Sequence, residues 1–127
     1  MVDLAKQPIA EEAVELTLLP SLRGRGILRD TDLSREEIEA ILDLALVLKD
    51  LRARHVPHAW LAGKTLGMIF QHPSTRTRTA FQAGMEQLGD QAIFLGAQDL
   101  QMKRGETVVD TATIISSYVD AIAIRIS

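Results

Sequence analysis

Along this chain, apolar residues recur first at helical spacing and then in short unbroken runs. Ile38, Ile41, Leu42, Ala45 and Leu48 lie three or four residues apart, as on one face of an α-helix. Ser34-Arg35-Glu36-Glu37 comes just before them. A serine followed three residues later by glutamate is a capping box, in which each side chain serves a backbone N–H of the other. The spacing predicts a helix over about 34–53. Thr65-Leu66-Gly67-Met68-Ile69-Phe70 reads differently: a short apolar run between Gly63 and Pro73, which predicts a buried strand. A helix opening near Ser74 follows, with Phe81, Met85 and Leu88 on one face and Gly89 as its stop. Next come a strand from Gln91 to Leu95, a polar loop from Gly96 to about Glu106, and a helix over roughly Thr107 to Tyr118. The last apolar run, Ala121 to Ile126, predicts a third strand ending in a buried charge at Arg125.

From residue 65 onward the order is β-α-β-α-β, preceded by an N-terminal helix. The pattern predicts an α/β fold: a parallel sheet with right-handed crossovers and helices on both faces. Such sheets bind ligands at the carboxyl ends of their strands. Three polar segments belong there: 71–78, 96–106, and the chain at Arg125. Residues 1–21 are weakly patterned and close at Pro20, so they read as an N-terminal extension to a domain spanning 22–127.

Composition narrows the function classes. A length of 127 residues with 46% hydrophobic and 24% charged side chains fits one globular domain. With 14 Lys+Arg against 17 Asp+Glu the net charge is -3, which offers no basic excess for nucleic acid. No run approaches the ~18 apolar residues of a membrane span, and Glu11, Glu12 and Glu15 stand where an export signal would be apolar. Cysteine is absent, which excludes disulfides, thiolate metal sites and a cysteine nucleophile and fits a cytoplasmic setting. His55 and His58 form His-x-x-His with no further ligand nearby in sequence, so they read as solvated helix-end residues. No metal and no cofactor are expected.

The chemistry concentrates in Pro73-Ser74-Thr75-Arg76-Thr77-Arg78. A strand runs into this segment and a helix starts within it, so free N–H groups and the positive helix end face outward. Ser74 is a natural N-cap, Thr75 and Thr77 add hydroxyl donors, and Arg76 adds a planar fork suited to two phosphate oxygens. Together they predict an anion site of the helix N-terminal kind. The alternative is an ordinary cap with both arginines solvated. Gln101-Met102-Lys103-Arg104-Gly105-Glu106 is polar and long enough to cover a substrate or reach a partner.

Three blocks of residues resemble the aspartate/ornithine carbamoyltransferase family. They are Phe-x-x-Pro-Ser-Thr-Arg-Thr-Arg-x-x-Phe from Phe70 to Phe81, Gln101-x-x-Arg-Gly-Glu-Thr-x-x-Asp-Thr-Ala to Ala112, and Tyr118-x-Asp-Ala-Ile-x-x-Arg to Arg125. The resemblance implies a carbamoyl-phosphate-binding domain and transfer of the carbamoyl group to an amine. It implies that Ser74, Thr75, Arg76 and Thr77 bind the phosphate. Thr77 and Arg125 would polarise the carbamoyl oxygen, and Arg76 belongs with them in catalysis. Gln101 would reach carbamoyl phosphate in the neighbouring subunit of a homotrimer or a multiple of trimers. His72 matches no family catalytic histidine and reads as incidental. Gln101 ahead of Arg-Gly-Glu-Thr is similar to the ornithine enzymes, which implies L-ornithine as acceptor, citrulline as product and a place in arginine biosynthesis. Aspartate or putrescine remain alternative acceptors, and a non-catalytic binding or assembly module the alternative class. Family members are more than twice this length, so the second, acceptor-binding domain is expected to be missing and the chain alone to be inactive.

Overall fold

The computed structural model describes residues 20–96 and 107–125, which fall in two compact units, 1–57 and 58–127. In the first unit, two short 3-10 turns, Pro20–Leu22 and Asp30–Asp32, precede helix α1, Arg35–Ala53. The predicted capping box is present. The Glu37 N–H donates to Ser34 Oγ at 3.1 Å, and the Ser34 N–H donates to Glu37 Oε2 at 2.8 Å. Glu37 Oε1 also accepts from Ser21 Oγ at 2.8 Å and from Arg25 Nη1 at 2.6 Å. One carboxylate thus ties the incoming chain to the first helical turn, and it is buried beneath partners that are themselves exposed. These bonds turn the Glu37 face inward. Glu37, Ala40, Leu44, Val47, Leu48 and Leu51 are shielded, whereas Ile38, Ile41, Leu42 and Ala45 are exposed, so only Leu48 of the predicted face turns inward. The buried stripe therefore lies one residue away from the one predicted.

The second unit contains β1 (Thr65–Phe70), α2 (Thr75–Gln87), β2 (Gln91–Gly96), α3 (Val108–Ser116) and β3 (Ala121–Arg125). Each predicted element is present, displaced by no more than two residues at its ends. The strands form a parallel sheet of order β2-β1-β3. Two successive right-handed crossovers that leave β1 in the middle put their helices on opposite faces. The side chains agree with that arrangement. The Phe70 and Phe94 rings meet edge to face at 5.6 Å, and Arg78 of α2 lies over Phe94 on the same face. On the other face, a Cβ added at Gly67 would stand 3.3 Å from Val119 and 3.4 Å from Ile115. Glycine there lets the end of α3 approach the strand.

The central strand carries the core: Met68, Ile69 and Phe70 are all buried. The expectation of a buried third strand is corrected. Among the described strands β3 lies at the edge of the sheet, Ile124 is 52% exposed, and Arg125 is exposed too. An edge strand has a neighbour on one side only, so the charge at Arg125 stays in reach of water. Two aspartates fasten the strand starts. Asp120 Oδ2 accepts from the Thr65 N–H at 2.8 Å, joining the start of β3 to β1. Asp90 takes the N–H groups of Gly63 and Gln91 at 2.7 and 2.9 Å.

The two long helices end in the same way with different residues. After α1, the N–H of His55 donates to Arg52 and that of Val56 to Leu51; after α2, Gly89 donates to Glu86 and Asp90 to Met85. This 5→2, 6→1 pattern is a Schellman motif, which needs a left-handed residue just past the cap. His55 has φ 54° and Gly89 φ 103°. At Gly89 crowding adds to the constraint, since a Cβ would stand 2.7 Å from the Ala59 Cβ. His55 is exposed, but His58 is half-buried and meets Trp60 edge-on at 6.2 Å, so only the first is a solvated helix-end residue. No helix among the described residues is long and apolar enough to cross a membrane.

Two stability measurements follow. His55→Gly is expected to raise the unfolding free energy by about 0.5–1 kcal/mol by removing left-handed strain, while Gly89→Ala is expected to lower it by about 2 kcal/mol or more. Urea midpoints of the two variants read both shifts. For Glu37, the Ser34 N–H, then the Ser21 hydroxyl, then the Arg25 guanidinium hold the carboxyl below the usual glutamate range, against a smaller opposing effect of burial. Because the folded pKa is depressed, its stabilisation is present above the unfolded value and fades as pH falls through the folded one. Glu37→Gln is accordingly expected to be less stable than the parent at neutral pH, with the gap closing in acid, as thermal melts across that range will read.

Candidate functional site

The ladder register sets Phe70 beside Gly96 on one side and Arg125 on the other, so the three carboxyl ends lie level. The chain leaving β1 is held there as well: the Gln71 N–H donates to the Arg125 carbonyl at 2.9 Å. Four residues on, α2 begins, with its first intrahelical bond from the Arg78 N–H to the Ser74 carbonyl at 2.9 Å. The segments at 71–78 and Arg125 are thereby brought together as predicted. Gln101 and the rest of the 97–106 loop lie outside the described residues.

Ser74 does not do what its position predicts. It stands at the N-cap of α2, but its side chain makes no capping bond, and its backbone sits at φ -148°, ψ 83°. Ser34 and Thr107, the N-caps of α1 and α3, have ψ 164° and 155° and do cap their helices. The Ser74 hydroxyl is engaged elsewhere. Arg125 Nη1 donates to Ser74 Oγ and, at 3.4 Å, to Thr77 Oγ1. The N–H groups of Thr75, Arg76 and Thr77 have no protein acceptor among the described residues. A hydroxyl that accepts from a guanidinium keeps its own proton to give away. Three N–H groups, two hydroxyl protons and the positive helix end thus present donors only. Such a set can hold an anion and offers nothing to a cation.

The predicted residues divide by position. Ser74, Thr77 and Arg125 are joined by hydrogen bonds. Arg76, one residue further round the helix, is exposed, with its fork free to fold onto an anion at the same end. Thr75 and Ser74 also line a cleft of about 600 Å³ between α2 and β2, which Arg76, Thr77 and Arg125 do not line. Its walls include His72, Arg78, Thr79 and Gln82, with Phe70 and Phe94 as apolar floor. Of these four, the sequence reading names Arg78 within the motif and takes His72 as incidental, and it omits Thr79 and Gln82. Thr75, Arg78, Thr79 and Gln82 are spaced i, i+3, i+4 and i+7, a single helical face, so the signal was there. His72, read as incidental, is part of the wall. Arg78 is committed elsewhere than to an anion: its guanidinium lies 3.7 Å from the Phe94 centroid, a cation–π contact. No cluster of His, Cys, Asp and Glu suited to a metal ion occurs among the described residues.

An ornithine carbamoyltransferase of Thermococcus kodakarensis is 50% identical over 109 residues, covering 86% of this chain and 35% of the relative. Among solved structures, the ornithine carbamoyltransferase of Pyrococcus furiosus superposes with a TM-score of 0.75 at 52% identity, over 80% of this chain and 33% of that one. Aspartate transcarbamoylase of Trypanosoma cruzi, in complex with carbamoyl phosphate and aspartate, superposes at 0.77 with 29% identity, over 85% and 34% respectively. The chain therefore spans about a third of the length of these relatives. Residues 25–127 match the family described as "Aspartate/ornithine carbamoyltransferase, carbamoyl-P binding domain", and with that match the chain belongs to this family.

Proposed function

We propose that this chain supplies the carbamoyl-phosphate half of a site that transfers the carbamoyl group to ornithine, giving citrulline and inorganic phosphate. The observation that carries the reading is the uncapped start of α2, a donor-only cradle whose serine and threonine hydroxyls are both engaged by Arg125. Carbamoyl phosphate matches it chemically, with a dianionic phosphate at one end and a carbonyl oxygen at the other. In the reaction the neutral amine nitrogen attacks the carbonyl carbon, a C–N bond forms, the C–O bond to phosphate breaks with its electron pair leaving on phosphate, and the proton that the amine gives up ends on that phosphate. Negative charge grows on the carbonyl oxygen as the amine adds.

Each residue has a part in this. The N–H groups of Thr75, Arg76 and Thr77, the Ser74 and Thr75 hydroxyls and the Arg76 fork take the phosphate and stabilise it as it leaves. Arg125 and Thr77 face the carbonyl oxygen as it gains charge. No group needs to shuttle a proton for this, since positioning and stabilisation of developing charge carry most of the barrier reduction. Gln101 contributes from a neighbouring copy in a homotrimer or a multiple of trimers. The setting is the cytoplasm and the pathway arginine biosynthesis.

Ornithine is favoured as acceptor because the relatives near 50% identity are named ornithine carbamoyltransferases, whereas the Trypanosoma cruzi aspartate enzyme stands at 29%. Aspartate is the second reading, supported by the good superposition on that enzyme.

Calorimetric titration of the chain with carbamoyl phosphate, with inorganic phosphate as control, tests the cradle. Saturable binding is expected, weakened about 10- to 100-fold in Arg76→Ala, the worth of a charge-assisted pair. A folded chain that binds neither ligand would overturn the assignment of the site. Transfer assays on the protein at its natural length test the acceptor, with ornithine, aspartate and putrescine offered separately. Ornithine is expected to be consumed, and label passing from carbamoyl phosphate to aspartate instead would replace it.

A further inference from the structure

A serine at the start of a helix ordinarily turns its hydroxyl back onto the third N–H of the first turn. In this protein Ser34 does so toward Glu37 and Thr107 toward Asp110, both at 3.1 Å. Ser74 sits at the equivalent position of α2, with Thr77 at the third. Nothing in the local sequence forbids the same bond, since Ser74 is followed by a regular helix of 13 residues. What differs is a contact from 51 residues away: the guanidinium of Arg125 holds the Ser74 hydroxyl. The same nitrogen also reaches Thr77 Oγ1 at 3.4 Å. Both side chains nearest the third N–H are thereby turned to the arginine.

We infer that Arg125 is a positioning residue as well as a charge, withholding the cap from α2 so that its first N–H groups stay open. The idea rests on the carbamoyl-phosphate reading for its purpose, but not for its physics. Without the guanidinium, the Ser74 hydroxyl takes the Thr77 N–H as its nearest unsatisfied donor, and the helix satisfies itself where it would otherwise bind a ligand. The cradle is then poorer by one N–H. Side-chain-to-backbone bonds of this local kind form readily because they order almost no further chain. It takes a competitor fixed by the fold to prevent one. Arg125 is fixed in that way at the end of β3, where its own carbonyl accepts from Gln71 at 2.9 Å. That bond binds the arginine backbone to the very segment that leads into Ser74.

Amide hydrogen exchange at Thr77, followed by NMR on the 127-residue chain, tests the inference without any ligand. Arg125→Met keeps the aliphatic stem and the backbone bond while removing the donors, and protection at Met68 reports that the sheet is intact. Thr77 is expected to exchange fast in the parent and roughly five-fold more slowly in Arg125→Met, the protection that a side-chain cap of ordinary strength gives. It is expected to become fast again in the double variant Arg125→Met with Ser74→Ala. A folded Arg125→Met in which Thr77 still exchanges at the parent rate would overturn the inference, as would a double variant in which it stays slow. Failure of the calorimetric titration would remove the ligand and leave the withheld cap in place, so the two readings fail separately.

Discussion

The parallel ladder that sets Phe70 level with both Gly96 and Arg125 is the constraint on which the site depends. An anion cradle at a helix start is small, and its donors must converge within a few ångströms. Here one set comes from the segment after β1 and the other from the end of β3, far apart in sequence. Only the register of the central strand makes them neighbours. The aspartates at the opposite end of the sheet serve the same purpose from below. Asp120 fixes the start of β3 against Thr65, so a slip of one residue would cost that bond and turn Arg125 to the other face of the sheet.

Charge at an edge strand usually guards against unwanted pairing. At Arg125 it also faces the ligand side, and exposure suits that use. A buried guanidinium would need a permanent anionic partner, which would compete with any substrate. Hydroxyl partners are the milder choice: they orient the arginine without neutralising it. The cradle thus keeps its full positive field while it is empty. The left-handed residues at the far ends of α1 and α2 show the opposite economy, with backbone N–H groups turned back onto the carbonyls of the last turn.

Elements whose causes are local could be read from the sequence. The capping box at Ser34 and Glu37, the stop at Gly89, and the apolar runs of β1 and β2 each depend on residues a few positions apart, so pattern alone located them. What was not legible depends on distance along the chain. That Ser74 gives up its cap follows from Arg125, 51 residues on, and no local rule contains that. The Glu37 face of α1 turns inward through Ser21 and Arg25, before the helix begins, so the apolar stripe alone misplaced it. β3 looked buried because its composition is apolar. Composition does not say which strand of three lies in the middle.

The two arginines of Ser-Thr-Arg-Thr-Arg part company in the fold. Arg76 faces open solvent at the ligand end, while Arg78 lies flat on Phe94, two residues before β2 ends at Gly96. That stack is a tie rod between the first turns of α2 and the last residues of β2. The second arginine of the motif therefore serves the packing of α2 on β2, and only the first is left with an open guanidinium at the ligand end.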